Sequence, residues 1–453
     1  MQKIALYIPE IREALKDKDF EELKRILEVQ PAVDIAAGWG KFSVKEKKII
    51  FKNIEFLIRI DVFERLYFNH QKFLAEELPP KDIIPVLDRM APDERVDFFE
   101  KLSSSKSNKF FKHMEEENVE NVKKLMVYAP DSAGGKMTTE FVKLKPGMTA
   151  REALIKLNQY LARRQSRKIY ALYLVDDKYR VTGGVSLQRL ITSKPDNKVE
   201  ELAKPVDNIK VYVNRDQEEV ARMFAHYDIL SAPVVNKEDK MLGVITIEDI
   251  VDVIHQETEE DIARMSGVDP GEFKKYSFMK ALKTRLPWLL LAYIGGLAAA
   301  GIIGRYETTL ESIVALAAFI PVIMHMGGTV GVQSSTVIVR GFALGKIETG
   351  RIGRILLREF SVGFILSAGY AVLLGLLSQL RYGTSAGAAR IGLVTGLGLG
   401  LVMLLGAVTG VCLPFGFKKF GIDPAIATGP IITPLIDIAG LGIYFGLASA
   451  LML

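Results

Sequence analysis

Gly429-Pro430-Ile431-Ile432-Thr433-Pro434-Leu435-Ile436-Asp437-Ile438-Ala439-Gly440 lies inside an apolar segment long enough to cross a bilayer. Asp437 is the only acidic residue after Asp423. A carboxylate at membrane depth costs at least about 2–3 kcal/mol, so it persists only where a pore, a partner or an ion compensates it. Pro430 and Pro434 are expected to break the helical hydrogen-bond ladder nearby. Freed carbonyls at that depth are tolerated where they line protein or a watery cavity. A carboxylate beside freed carbonyls points to a cation site.

The rest of the chain places that segment. Its 453 residues allow roughly three domains of about 150 each. The 25% of charged residues and the net charge of +5 match an ordinary soluble protein, but the charges are segregated. Residues 1–285 mix apolar and charged positions, whereas apolar runs dominate from Leu286 onward. Five spans are expected, at about 286–304, 313–339, 360–380, 391–417 and 424–452. The opening MQKIALYIPEIREALKDKDF has no continuous apolar core, so no signal peptide is expected there. The single cysteine, Cys412, has no intrachain partner, which leaves a reducing, cytosolic setting for the soluble part unopposed.

Basic residues orient the spans. Lys274, Lys275, Lys280, Lys283 and Arg285 precede the first. Arg340, Lys346, Arg351, Arg354 and Arg358 follow the second, and Lys418 and Lys419 follow the fourth. The alternate loops carry only Arg305, Arg381 and Arg390. An excess of positive charge on the inner side then puts the N-terminal part in the cytosol and the C-terminus outside a plasma or inner membrane. Gly295, Gly296 and Gly301 in the first span are expected to allow close helix approach, as are Gly396, Gly398, Gly400, Gly406 and Gly410 in the fourth.

Residues 1–130 read as short amphipathic helices, such as Ile11–Leu27 and Pro80–Leu102, forming a small all-α superhelix. Asp93 and Asp97 fall one turn apart on one face; spacing alone favours a solvated helix start, with Asp93 complementing the dipole. Residues 131–253 hold two similar units, about 131–200 and 201–253. Each has a short strand (Phe141–Leu144; Ile209–Tyr212), a helix (Ala150–Leu161; Glu218–His226), a strand pair and a closing helix. The strand pairs are Ala171–Val175 with Val181–Val185 and Ala232–Val235 with Gly243–Thr246. This repeat resembles tandem CBS domains, an α/β pair. Gly243-x-x-Thr246-x-x-Asp249 is similar to the motif that holds ribose and phosphate in nucleotide-binding members, while the first unit has Arg189 at the acidic position. ATP or another adenine nucleotide is therefore admitted at Thr246 and Asp249 only, and a purely structural module is the alternative.

From Glu248 to Asp261 the chain carries Glu248, Asp249, Asp252, Glu257, Glu259, Glu260 and Asp261 and no Lys or Arg. Like charges at i,i+4 repel, so a helix here gains from divalent cations and is loosened by their loss. A solvated linker helix is the plainer reading. Residues 254–285 are assigned to this connecting helix and 286–453 to the membrane domain.

Four stretches in this order resemble the MgtE family of magnesium channels. They are Tyr128-Ala129-Pro130-Asp131-Ser132-Ala133-Gly134-Gly135-Lys136-Met137-Thr138-Thr139-Glu140-Phe141; Glu257, Glu260, Asp261 and Ile262; Gly327-Gly328 with Gly331, Gln333, Ser334, Arg340 and Gly341; and Pro430 to Phe445. The resemblance implies a homodimer in a lipid bilayer, with five spans per protomer and a pore on the two-fold axis. It implies influx of divalent cations, Mg²⁺ above all, held as a hydrated ion by Asp437 of both protomers with backbone around Gly327, Gly328 and Thr433. It also implies closure by cytosolic Mg²⁺ bound at acidic interfaces of the N domain, the CBS pair and the connecting, or plug, helix. Asp93, Asp97, Asp249, Asp252, Glu257, Glu260 and Asp261 match that gating role. Two symmetry-related carboxylates suit an ion that keeps its waters.

Departures bear on selectivity. Thr329 stands where the family usually has Asn, and His325 lies between Met324 and Met326. A soft His/Met cluster would favour transition metals; otherwise the imidazole faces a neighbouring helix or the membrane mouth. The alternatives to a Mg²⁺ channel are thus transport of Co²⁺ or Ni²⁺, or a non-conducting Mg²⁺ sensor. An enzyme is not expected: the five histidines (70, 113, 226, 255 and 325) never approach His-Glu-x-x-His spacing. Nor is a nucleic-acid partner. An anion channel would want basic groups and helix N-termini at the pore in place of Asp437.

Overall fold

The computed structural model describes residues 4–163, 169–269, 278–347, 352–384 and 390–452. Its contacts divide into two compact units, Met1–Val253 and Ile254–Leu453.

The first unit opens with short helices. The stretch expected as Ile11–Leu27 is two helices, Ile4–Asp17 and Phe20–Glu28, because Lys18 turns the chain at φ 57° and Asp19 caps the second by accepting from Glu22 N at 3.0 Å. Pro80–Leu102 likewise divides into Pro80–Arg89 and α1 (Pro92–Glu100), since Pro92 holds Ala91 in an extended conformation. The core is aromatic: Trp39, Phe51, Phe63, Phe98 and Phe99 are buried, with Phe63 and Phe98 edge to face at 5.7 Å. Arg95, fully buried in α1, donates to the carbonyls of Leu87 (2.8 Å), Asp88 (2.9 Å) and Met90 (2.8 Å) and to Asn118 Oδ1 (2.9 Å). These dipoles compensate its charge and lock α1 to the helix before it.

Both CBS halves repeat one topology. In the first, β1 (Lys143–Leu144) runs parallel to β2 (Ala171–Val175), which pairs antiparallel with β3 (Val181–Ser186). In the second, β4 (Val211–Tyr212), β5 (Ser231–Val235) and β6 (Met241–Thr246) do the same. Helices Ala150–Arg163 and Gln217–Tyr227 make the crossovers. Tyr173, Val175 and Val181 share a core with Val235, Met241 and Val244, and Tyr173 and Ser231 hydroxyls meet at 2.9 Å. The strip after Tyr128 ties the helical part to the second half: Ala133 N donates to Arg215 O (2.7 Å), Gly134 N to Val213 O (2.8 Å) and Thr138 N to Val244 O (2.9 Å). A Cβ on Gly134 would lie 2.6 Å from Tyr128 Cγ, so only glycine permits that approach.

Helix α2 (Ile247–Met265) starts inside the second CBS half and stops before Gly267, at φ +69°. It begins earlier and ends sooner than the expected 254–285; residues 270–277 lie outside the described residues. Five helices are long and apolar enough to cross a membrane. They are α3 (Phe278–Arg305), α4 (Ile320–Ala343) with the preceding 3₁₀ turn Val314–Phe319, α5 (Ile352–Tyr382), α6 (Ile391–Lys419) and α7 (Gly429–Met452). The basic residues expected to precede the first span are partly inside it, since α3 contains Lys280, Lys283 and Arg285. α6 is the most buried of the five. Its Gly396, Gly398, Gly400, Gly406 and Gly410 all lie against neighbouring chain, whereas Gly296 and Gly301 of α3 face open space. The prolines do not interrupt α7: Pro430 sits at its start, where an N–H is not needed, and Pro434 packs where a Cβ on Gly295 would be 2.5 Å away. Pro434 leaves the Pro430 carbonyl without its helical donor.

Candidate functional site

The membrane site is built by α4, α6 and α7. A Cβ on Gly327 would come within 3.0 Å of Ile436 Cγ2, one on Gly331 within 2.7 Å of Ile432 Cγ2, and one on Gly328 within 3.3 Å of Thr433 Cγ2. Rising numbers on α4 meet falling numbers on α7, so the two helices run antiparallel. Gly406 of α6 packs on the Gly327 carbonyl, and a Cβ on Gly410 would stand 2.9 Å from Ser334 Cβ. The structure thus brings Gly328 beside Thr433, while Gly327 packs on Ile436 and Val402. Asp437, one turn further along α7, is half-buried, and Thr433 is exposed.

α4 also carries a polar face. His325, Gln333, Thr336 and Arg340 are exposed, with Thr329 half-buried between them. The hydroxyl of Thr329 donates to His325 O at 2.8 Å, leaving its oxygen lone pairs available. Met324 and Met326 pack into the apolar cluster with Ile323 and Tyr444, which favours the plainer reading of His325 over a soft His/Met cluster. One residue escaped the sequence reading: Glu359, the sole acidic residue of α5, accepts from Ser334 Oγ at 3.3 Å. It lies one residue before the span expected at about 360–380, and only the longer helix Ile352–Tyr382 takes it in.

In the first unit, Asp249 at the start of α2 accepts from Thr246 N (3.3 Å) and Thr246 Oγ1 (2.8 Å). The two residues admitted for a nucleotide therefore bond each other, Thr246 donating twice to the Asp249 carboxylate. Burial, then the Asp93 charge, pushes the Asp249 carboxyl up to about 7, against the Thr246 hydrogen bonds. Glu94 of α1 is raised well above the carboxylate range by burial and by Asp93, Glu64, Asp97 and Asp249. Asp93, Asp97 and Asp249 thus share one electrostatic neighbourhood, and Glu94 and Glu64 join it without having been anticipated. Asp97 also pairs with Lys101 at 3.6 Å. Asp252 is exposed. Glu248 accepts from Tyr170 OH at 3.1 Å.

In the second unit, Glu257, Glu260 and Asp261 are half-buried along α2. Arg264 bonds both Glu260 and Asp423, and Thr428 Oγ1 donates to Met265 O at 3.0 Å. The end of α2 is thereby fastened to the turn that opens α7. Among the described residues no three His, Cys, Asp or Glu side chains stand together as a metal-holding group.

Five spanning helices with a carboxylate in the last, preceded by a helical part and a CBS pair, make the plan of a membrane cation transporter. Residues 320–447 match the MgtE family, a divalent cation transporter; 30–131 match the MgtE intracellular N domain and 199–256 a CBS domain. The chain is 34% identical to the magnesium transporter MgtE of Bacillus subtilis over 96% of its own length and 95% of that protein. It is 30% identical to the Thermus thermophilus magnesium transporter MgtE over 98% of each. The cytosolic domain of the Mg²⁺ channel MgtE, crystallised with ATP, superposes with a TM-score of 0.51 at 30% identity, covering 54% of this chain and 98% of that one. The chain belongs to the MgtE family.

Proposed function

We propose that the chain conducts divalent cations, Mg²⁺ foremost, into the cell and closes as Mg²⁺ accumulates in the cytosol. The observation that carries this is Asp437 one turn along α7 from Thr433, which packs on Gly328, together with the polar face of α4. Such a face in a spanning helix needs water or a partner. A second copy across a two-fold axis would enclose it and supply Asp437 twice. Mg²⁺ sheds water reluctantly, so few carboxylates with backbone oxygens around Gly327, Gly328 and Thr433 hold it hydrated and loosely enough to release it. The names of the relatives support the same cargo.

Gating is assigned to Asp93, Asp97, Asp249 and Asp252 and to Glu257, Glu260 and Asp261. Mg²⁺ neutralises these carboxylates and holds the closed arrangement; depletion restores their repulsion. The ATP in the related cytosolic domain supports an adenine nucleotide at the CBS pair, where Thr246 and Asp249 would have to exchange their mutual bond for it. The proposed working parts are 1–130, 131–253, 254–285 and 286–453, with the first three cytosolic and the C-terminus outside. A bacterium lacking Mg²⁺ uptake, grown on low Mg²⁺, should be rescued by the wild type and not by Asp437→Ala. Equal rescue by both would sink the pore assignment.

A further inference from the structure

We propose that His325 forms, at the depth of Asp437, an imidazole site that retains borderline divalent cations such as Ni²⁺ and Co²⁺ while Mg²⁺ passes; this rests on the pore reading above. The antiparallel register fixes the depth. Gly328 faces Thr433 and Gly327 faces Ile436. Asp437 lies one residue beyond Ile436, and His325 two residues before Gly327, a rise of only about 3 Å at 1.5 Å per residue. Imidazole and carboxylate therefore sit at one level to within about a turn of helix.

His325 is exposed on the same face as Gln333 and Thr336, whereas the apolar cluster takes Met324 and Met326. The site is consequently nitrogen and oxygen, without thioether. Thr329, one turn on, bonds the His325 carbonyl and keeps its lone pairs towards that face. Imidazole binds first-row transition ions in the order Mn²⁺ < Co²⁺ < Ni²⁺ and is a poor ligand for Mg²⁺, which prefers oxygen and keeps its water. One protomer offers one imidazole and one carboxylate; a two-fold pore doubles both, enough to hold Ni²⁺ where a hydrated Mg²⁺ merely pauses.

The test is Mg²⁺ current through the full-length protein in a planar bilayer, with Ni²⁺, Co²⁺ or Mn²⁺ added on the outer side. In the wild type the blocking concentration should fall from Mn²⁺ to Co²⁺ to Ni²⁺, and equal block by all three would overturn the proposal without any variant. His325→Gln and His325→Asn should each raise the Ni²⁺ concentration for half-block relative to Mn²⁺ by at least about tenfold, the scale on which even outer-shell partners of metal ligands act. A change below about twofold in both overturns it. Asp437→Asn, run alongside, tests the pore reading separately. Loss of its Mg²⁺ current with unaltered Ni²⁺ block in the His325 variants retires only the imidazole site, whereas full current in Asp437→Asn retires the pore on which that site depends.

Discussion

At the scale of single residues, charge that cannot escape does most of the work. The Asp249 and Glu94 carboxyls are shifted upward from their unfolded values, because burial and neighbouring carboxylates oppose their ionisation. A raised carboxylate contributes stability below the ordinary carboxylate range, and that contribution is lost as pH climbs towards its folded value, here about 7 for Asp249. Without divalent cations, the thermal midpoint of the full-length protein's first unit should therefore fall between about pH 4 and about pH 7. Both millimolar Mg²⁺ and Asp249→Asn should flatten the slope. A wild-type slope that survives in Asp249→Asn would assign the pH dependence elsewhere. Asp437 could be read from sequence because nothing else in its span is charged. Glu94 could not, since its environment comes from Glu64 and Asp249, respectively 30 and 155 positions away.

Between elements, close packing decides what a helix can present. Gly406 lets α6 rest on the carbonyl of Gly327, in the turn of α4 proposed to border the ion. Gly406→Ala should displace that carbonyl, cost about 1–3 kcal/mol as an overpacked contact, and lower Mg²⁺ current per folded channel. Wild-type current and thermal midpoint together would contradict the packing argument. The tether at the end of α2 makes a second case. Arg264 bridges Glu260 and Asp423, and the exposed surface around it caps the benefit at about 1 kcal/mol or less. Asp423→Asn should speed amide exchange in residues 257–265 while leaving exchange in α6 unaltered; unchanged exchange at α2 would deny the tether its role. The sequence predicted helix existence better than helix limits. Pro92 and Lys18 divide helices whose apolar periodicity runs straight through, and α2 starts at Ile247 because the CBS strand β6 ends there.

For the whole molecule, the proposed gating ties the acidic residues of α2 to flow through the membrane helices. Replacing Glu257, Glu260 and Asp261 together by Ala should weaken the protection that Mg²⁺ gives the α2 region against protease, and should shift closure to higher cytosolic Mg²⁺. Unchanged protection would remove these residues from the gate. By itself the sequence determined the division into a charged N-terminal part and an apolar C-terminal one, the five apolar helices, the CBS repeat and the isolation of Asp437 as the lone charge of its helix. Hydrophobic periodicity, internal repetition and the cost of a lone charge in lipid are local properties that a linear chain displays. Only the tertiary structure decided that Thr433 faces Gly328, that Met324 and Met326 leave His325, and that Asp249 accepts from Thr246. Each of these depends on which face of a helix meets which neighbour, and that is set by packing between residues distant in sequence.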